Sequence, residues 1–158
     1  MPIYQKETLD PTTLPPGALL CLDIGTHTLG LALSTPDKGM ALPHSTIKRT
    51  KFTKDIQRLN SIIREHEIAG FVLGWPLKTD GSPGPSCDRV RAFADEMHNH
   101  PDVFGANPFI LLWDERFSTQ TVHNLVDKSG KKMKQSGELD ALAAHVILQD
   151  LLDALSRL

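Results

Sequence analysis

The most informative stretch of this sequence is Ala18-Leu19-Leu20-Cys21-Leu22-Asp23-Ile24-Gly25-Thr26-His27-Thr28-Leu29-Gly30-Leu31-Ala32. It begins with an unbroken apolar run, which predicts a buried strand that ends at Asp23. Gly25 and the polar residues after it predict a turn, and residues 29–34 predict a second strand. Another turn and a weaker strand over residues 40–47 follow. The three strands are expected to form an antiparallel meander.

The rest of the chain alternates between helical and strand patterns. In chain order these are a helix through Ile56, Leu59 and Ile63, a strand at 71–73, a helix through Val90, Phe93 and Met97, a strand at 109–113, a short helix through Val122, Leu125 and Val126, and a helix from about Glu138 to near the C-terminus. Together with the meander, this order predicts an α/β fold with a mixed five-stranded sheet flanked by helices.

Length and composition fit a single domain. The 158 residues are 40% hydrophobic and 23% charged, the balance of a globular domain with one core. Prolines punctuate residues 1–16, which are expected to form an extended arm, and residues 17–158 are expected to form the domain. Cys21 and Cys87 are too few for a disulfide framework. With no signal-peptide pattern and no membrane-spanning apolar run, we expect a cytoplasmic protein that does not contact a membrane.

Asp140 stands at the start of an apolar helical stripe. Spacings of four and seven residues place it on one helix face with Ala144 and Ile147. A carboxylate on a core-facing stripe must be paired, hydrogen-bonded or bound to a metal. The alternative is an exposed acid in the first turn, with Leu139 and Leu142 on the buried face.

Two further acids lie at predicted strand ends. Asp23 ends the first buried strand, where a rigid sheet can hold a catalytic carboxylate, although a turn-forming role is equally compatible with the pattern. Glu115 follows the last predicted strand beside Asp114, and alternation places these two side chains on opposite faces. The pattern does not decide which of them faces a site. A surface ion pair with Arg116 is the alternative for either acid.

Carboxylates from separate elements are suitable ligands for hard divalent cations. Mg²⁺ and Mn²⁺ prefer oxygen donors. Two such ions, roughly 3.5–4 Å apart, can activate water and neutralise a phosphate during phosphodiester hydrolysis. Close carboxylates repel one another without cations, so their pKa values are expected to rise in the metal-free site.

Four motifs in this order resemble the signatures of the YqgF family, also called RuvX-like. Each motif alone is unspecific, but four at suitable spacing form a strong signature. They are Asp23-Ile24-Gly25-Thr26-His27-Thr28-Leu29-Gly30-Leu31-Ala32, Val72-Leu73-Gly74-Trp75-Pro76-Leu77 with Asp80-Gly81, Asp114-Glu115-Arg116-Phe117-Ser118-Thr119, and Asp140-Ala141-Leu142-Ala143-Ala144 with Ile147-Leu148. The sequence departs from the family pattern at His27, where Lys or Arg is usual, at Trp75, where Leu is common, and at Glu138, where a basic residue is frequent.

The resemblance implies a ribonuclease H-like fold and a metal-dependent endonuclease that hydrolyses phosphodiester bonds. It implies that Asp23, Glu115 and Asp140 are the catalytic and metal-binding residues, which selects Glu115 over Asp114. The implied cofactor is Mg²⁺ or Mn²⁺, with two ions bridged by Asp23. The implied substrate is the 5′ end of pre-16S rRNA, in the pre-ribosome, and the acting species is a monomer or a homodimer.

Contacts with nucleic acid must come from a local patch, because the net charge is −2. The candidates are Arg116, His27 and the lysines of the segment before the last helix, namely Lys128, Lys131, Lys132 and Lys134. A solvated loop is the alternative for these lysines. The alternative functions are a Holliday junction resolvase on branched DNA, a non-catalytic nucleic-acid-binding module, and a kinase-like ATP-binder, which would need a second domain.

Overall fold

The apolar runs of the sequence form the strands of one mixed sheet. The computed structural model of the chain describes residues 3–5, 11–78, 80–114 and 138–157. The strands are β1 (Ile3–Gln5), β2 (Ala18–Ile24), β3 (Thr28–Ser34), β4 (Ala41–Lys48), β5 (Ile68–Trp75) and β6 (Ile110–Asp114). Their order across the sheet is β1-β6-β5-β2-β3-β4. The meander β2–β3–β4 is antiparallel, whereas β2, β5, β6 and β1 pair in parallel.

Besides the short edge strand β1, four strands end at the same edge of the sheet, which we call the carboxyl edge. The strands β2, β5 and β6 are parallel, and β4 shares their direction because it is antiparallel to β3, which is antiparallel to β2. The last residues of these strands are Ile24, Lys48, Trp75 and Asp114. Side chains near these positions therefore meet at one rim of the molecule, where loops leave the rigid sheet.

Helices cover both faces of the sheet. They are α1 (Phe52–Glu65), α2 (Pro85–His98), α3 (Pro101–Phe104) and α4 (Glu138–Ser156). Leu20 and Leu22 of β2 belong to the core cluster that includes α1, α2 and α3, while Leu19 and Cys21 belong to the cluster with α4. Burial on both sides explains why β2 is continuously apolar instead of alternating with polar residues. No helix in the described part of the chain is long and apolar enough to cross a membrane.

All five predicted strands are present, and the structure adds elements that the sequence did not predict. Residues 3–5 of the arm form β1, which pairs in parallel with β6 at the edge of the sheet. A 3-10 turn at Pro11–Thr13 and the short helix α3 are also additional. The helix predicted through Val122–Val126 lies outside the described residues. The division at residue 17 between arm and domain stays a prediction.

Gly30 of β3 allows α4 to lie directly on the sheet. A Cβ atom at this position would overlap the carbonyl oxygen of Asp140 and lie 2.5 Å from its carbonyl carbon. The obstacle is helix backbone, which cannot rotate away as a side chain can, so a residue without Cβ is required here. Gly30 is also the register partner of Asp23. This close contact therefore brings the start of α4 beside Asp23.

We expect Gly30→Ala to displace the start of α4 and to lower the free energy of unfolding by about 1–3 kcal/mol, the usual cost of overpacking. Urea denaturation measures this effect. Gly39→Ala is a matched control, because the added methyl would meet only the side chain of Asp37, in an exposed turn. Equal stabilities of the two variants would contradict the role assigned to Gly30.

Candidate active site

Asp23 lies one residue before the end of β2. Alternation along the strand places it on the α4 face, after Leu19 and Cys21, which pack in the α4 cluster. Its side chain is half-buried. Asp140 lies in the first turn of α4 and is also half-buried, with its backbone against Gly30. The structure thus brings together two of the three acids that the sequence singled out.

Both burial and the charge of Asp140 act on the carboxyl group of Asp23. Burial raises the pKa of Asp23, and the negative charge of Asp140 raises it further, to about 6. Burial is the larger cause because a partly dry environment disfavours the ionised form, and a second negative charge acts in the same direction. Two oxygen donors held in this way present an anionic site that a hard divalent cation would stabilise.

The apolar stripe of α4 follows the predicted spacing. Ala144, Ile147 and Leu151 are at most 1% exposed, and they pack against the sheet on the side of Cys21. Asp140 continues this stripe toward the carboxyl edge. The structure therefore agrees with the interpretation in which Asp140 lies on the core-facing stripe and not with an exposed first-turn acid.

A side-chain hydrogen bond joins the carboxyl end of β6 to α4. The indole Nε1–H of Trp113 donates a hydrogen bond of 2.8 Å to Oδ2 of Asp150 on α4. Leu111 and Trp113 both belong to the α4 core cluster, so alternation directs Asp114 to the opposite face. This contact holds the carboxyl end of β6 against the helix that carries Asp140.

Most of the remaining predicted site residues are not described. Glu115, Arg116, Lys128, Lys131, Lys132 and Lys134 lie outside the described residues. His27 is exposed in the turn between β2 and β3, and its carbonyl oxygen accepts a hydrogen bond of 2.8 Å from the Arg49 N–H. Within residues 3–5, 11–78, 80–114 and 138–157, no group of three or more His, Cys, Asp or Glu is placed to hold a metal ion.

Two arginines at the carboxyl edge were missed by the sequence reasoning. Arg49 follows β4 and donates from Nη1 to the Gly25 carbonyl oxygen at 2.7 Å. The guanidinium of Arg91 on α2 lies 5.2 Å from the centre of the Trp75 ring. Neither residue belongs to one of the four motifs, and the structure places Arg49 at the end of β2 and Arg91 at the end of β5.

The fold is ribonuclease H-like. It resembles the structure described as "T. thermophilus RuvC in complex with Holliday junction substrate", with a TM-score of 0.51 and 14% sequence identity, over 89% of this chain and 96% of that chain. At this identity the likeness concerns the fold alone.

The profile of the RuvX family, described as a Holliday junction resolvase, matches residues 17–154, and the chain belongs to this family. A relative from Rhodospirillum rubrum is 42% identical over 99% of this chain and 96% of its own length. One from Rhodospirillum centenum is 41% identical over 88% of this chain and 74% of its own length. Both carry the name "Putative pre-16S rRNA nuclease". The family resemblance drawn from the four motifs is confirmed.

The raised pKa of Asp23 predicts a specific pH dependence of stability. Its carboxyl group is protonated more readily in the folded chain, with a pKa of about 6, than at the ordinary value of 3.8. The destabilising effect of its charge is therefore absent at low pH, grows as the pH rises, and is complete above about 6. Asp23→Asn should stabilise the metal-free protein, by about 2 kcal/mol more at pH 7.5 than at pH 4.5.

Urea denaturation in EDTA at these two pH values measures the effect. Asp37→Asn is a control of opposite sign, because hydrogen bonds from Thr35 and Gly39 lower the pKa of Asp37. This control should lose stability relative to the wild type as the pH rises. An equal gain for Asp23→Asn at both pH values would show that the Asp23 carboxylate is not perturbed.

Proposed function

We propose that this chain is a divalent-metal-dependent endonuclease that hydrolyses phosphodiester bonds and processes the 5′ end of pre-16S rRNA. The observation that carries the proposal is the position of Asp140 against Gly30, the register partner of Asp23, at the carboxyl edge of a ribonuclease H-like sheet. Membership of the RuvX family and the names of relatives about 40% identical support a nuclease. A module that only bound nucleic acid would gain nothing from paired negative charges beside phosphates.

Asp23 and Asp140 fit the requirements for holding Mg²⁺ or Mn²⁺. Both supply carboxylate oxygens, and a cation would offset the burial and repulsion that raise the pKa of Asp23. In the proposed site Asp23 and Asp140 would together hold the divalent ions. Bound divalent ions supply a nucleophilic water at neutral pH and neutralise charge on the phosphate. The chain itself holds the two acids at fixed positions on β2 and α4.

Glu115 is the proposed third ligand. Leu111 and Trp113 at the end of β6 lie on the α4 face, which is also the face of Asp23, and Glu115 is the next acid in the chain after Asp114. The strand between β6 and β2 is β5, and there the neighbour of Trp113 is Gly74. Because Gly74 has no side chain, it leaves room across a gap of two strand spacings, roughly 10 Å. A glutamate is long enough to share cations with Asp23 over this gap.

Removing any one ligand should abolish most of the activity. We expect Asp23→Asn, Glu115→Gln and Asp140→Asn each to slow RNA cleavage by roughly 100-fold or more, since each removes charge that holds the ions. EDTA should stop cleavage, and added Mg²⁺ or Mn²⁺ should restore it. Asp153→Asn, an exposed acid on the same helix, is the matched control and should cleave like the wild type. Wild-type rates for Asp23→Asn would refute the assignment.

The substrate assignment is tested separately. Precursor 16S rRNA and a four-way DNA junction are offered to the same enzyme in Mg²⁺ and in Mn²⁺, and the cleavage rates are compared. We expect cleavage of the RNA precursor near its 5′ end, leaving a 5′-phosphate and a 3′-hydroxyl. Preferential cleavage of the junction would replace RNA processing with junction resolution, and the roles of the three acids would be unchanged.

A further inference from the structure

We propose that Lys48, Arg49, Lys51, Lys54 and Arg91 form a basic rim along the carboxyl edge that binds the phosphate backbone of the nucleic-acid substrate. This inference rests on the proposed nuclease function and adds the residues that hold the nucleic-acid strand near Asp23. None of the five residues is among the nucleic-acid contacts expected from the sequence.

Along the carboxyl edge, the rim extends to both sides of the end of β2, the strand that carries Asp23. Lys48 is the last residue of β4, and the segment from it to Lys54 joins β4 to the first turn of α1. Arg91 lies against Trp75, the last residue of β5. In the strand order β5-β2-β3-β4, the end of β2 lies between these two groups. Arg49 and Arg91 contact Phe93 and Trp75 on the α1–α2 face, whereas Asp23 faces α4. A nucleic-acid strand held by the rim would therefore pass over the carboxyl edge to reach Asp23.

Arg49 is held in place by three contacts. Its backbone N–H donates to the His27 carbonyl oxygen at 2.8 Å, and its Nη1 donates to the Gly25 carbonyl oxygen at 2.7 Å. Its guanidinium also lies 5.8 Å from the centre of the Phe93 ring. A guanidinium has five N–H donors, so donors remain for a phosphate after the bond to Gly25. Such a fixed side chain loses little entropy when it binds.

The side chain of Arg91 packs on an aromatic ring. Trp75 is 6% exposed, so it cannot stack with a base, but its ring supports the exposed guanidinium of Arg91 at 5.2 Å. An aliphatic side chain at position 75 would not make this cation–π contact.

The charge of the rim is not neutralised within the described chain. The ion pair found there, with a nitrogen–oxygen distance of 3.9 Å, joins His100 to Glu96 and includes none of the five rim residues. Asp55, the acid closest in sequence to Arg49, is 3% exposed and accepts hydrogen bonds from the backbone N–H and hydroxyl of Thr50. The cations of the rim therefore remain available to an external anion.

Helix stability does not account for the lysines of the rim. Lys51 is the N-cap of α1 without a side-chain cap hydrogen bond, and Lys54 lies in the first turn. Cations at a helix N-terminus oppose the helix dipole and are unfavourable for the helix. Both side chains are exposed, so neither fills the core. Binding of a polyanion gives a reason for positive charge at a place where it weakens the fold, in a chain whose net charge is −2.

The test measures binding separately from cleavage. In an Asp23→Asn background, the affinity for a fluorescent single-stranded RNA is measured by anisotropy at several salt concentrations. We expect Arg49→Gln, Lys51→Gln and Arg91→Gln each to weaken binding about 3- to 10-fold at low salt. Each should also reduce the slope of log affinity against log salt by about 0.7, the value for one lost phosphate contact on a single strand.

Controls separate charge from structure. Arg64→Gln removes an exposed arginine from the last turn of α1, which lies at the opposite edge of the sheet, and should change neither affinity nor slope. Arg49→Lys keeps the charge and should retain the wild-type slope, whereas a purely structural role for Arg49 would make it behave like Arg49→Gln. Thermal unfolding of each variant establishes that it is folded.

If the three rim variants show the same slope of log affinity against log salt as Arg64→Gln, the proposed role of the basic rim is wrong, even if the wild type cleaves RNA. Absence of RNA binding by the Asp23→Asn parent would overturn the rim and the proposed substrate together. Binding with the expected slopes, but without cleavage by the wild type, would support the rim and contradict the nuclease proposal.

Discussion

The close contact between Gly30 and the backbone of Asp140 sets the geometry on which the site depends. It fixes how near α4 can come to the sheet at the point where the helix begins. Because Gly30 and Asp23 are register partners on adjacent strands, the same contact fixes the approach of the two carboxylates. The packing of one residue without a side chain thus determines the position of two charges.

This arrangement opposes folding in the absence of cations. Burial and the charge of Asp140 both disfavour ionisation of Asp23. The sheet and helix tolerate this unfavourable pair because the rest of α4 packs through apolar residues such as Ile147, Leu148 and Leu151, which are 1% exposed or less. Two repelling acids held at a rigid edge fit the proposed cation site, since little rearrangement would be needed to bind cations there.

The sequence was sufficient to predict the strands and most of the helices, because the apolar runs and stripes have the periods of these elements. It was also sufficient to single out Asp23 and Asp140 as acids in largely apolar surroundings. It did not predict β1, since the three residues Ile3–Gln5 are too few for a period to be visible and acquire their structure by pairing with β6. It did not predict the basic rim either. Arg91 and the segment after β4 are far apart in the sequence, and only the strand order of the sheet brings them to the same edge.

The central claim is that the charges of Asp23 and Asp140 repel each other in the metal-free site and that divalent cations remove this repulsion. The most direct measurement is the pKa of the Asp23 side-chain carboxyl, followed by carbon NMR during pH titration with EDTA and then with saturating Mg²⁺. The account predicts a value near 6 without metal and a clear decrease when Mg²⁺ is present. An ordinary value near 3.8 that does not respond to Mg²⁺ would contradict it.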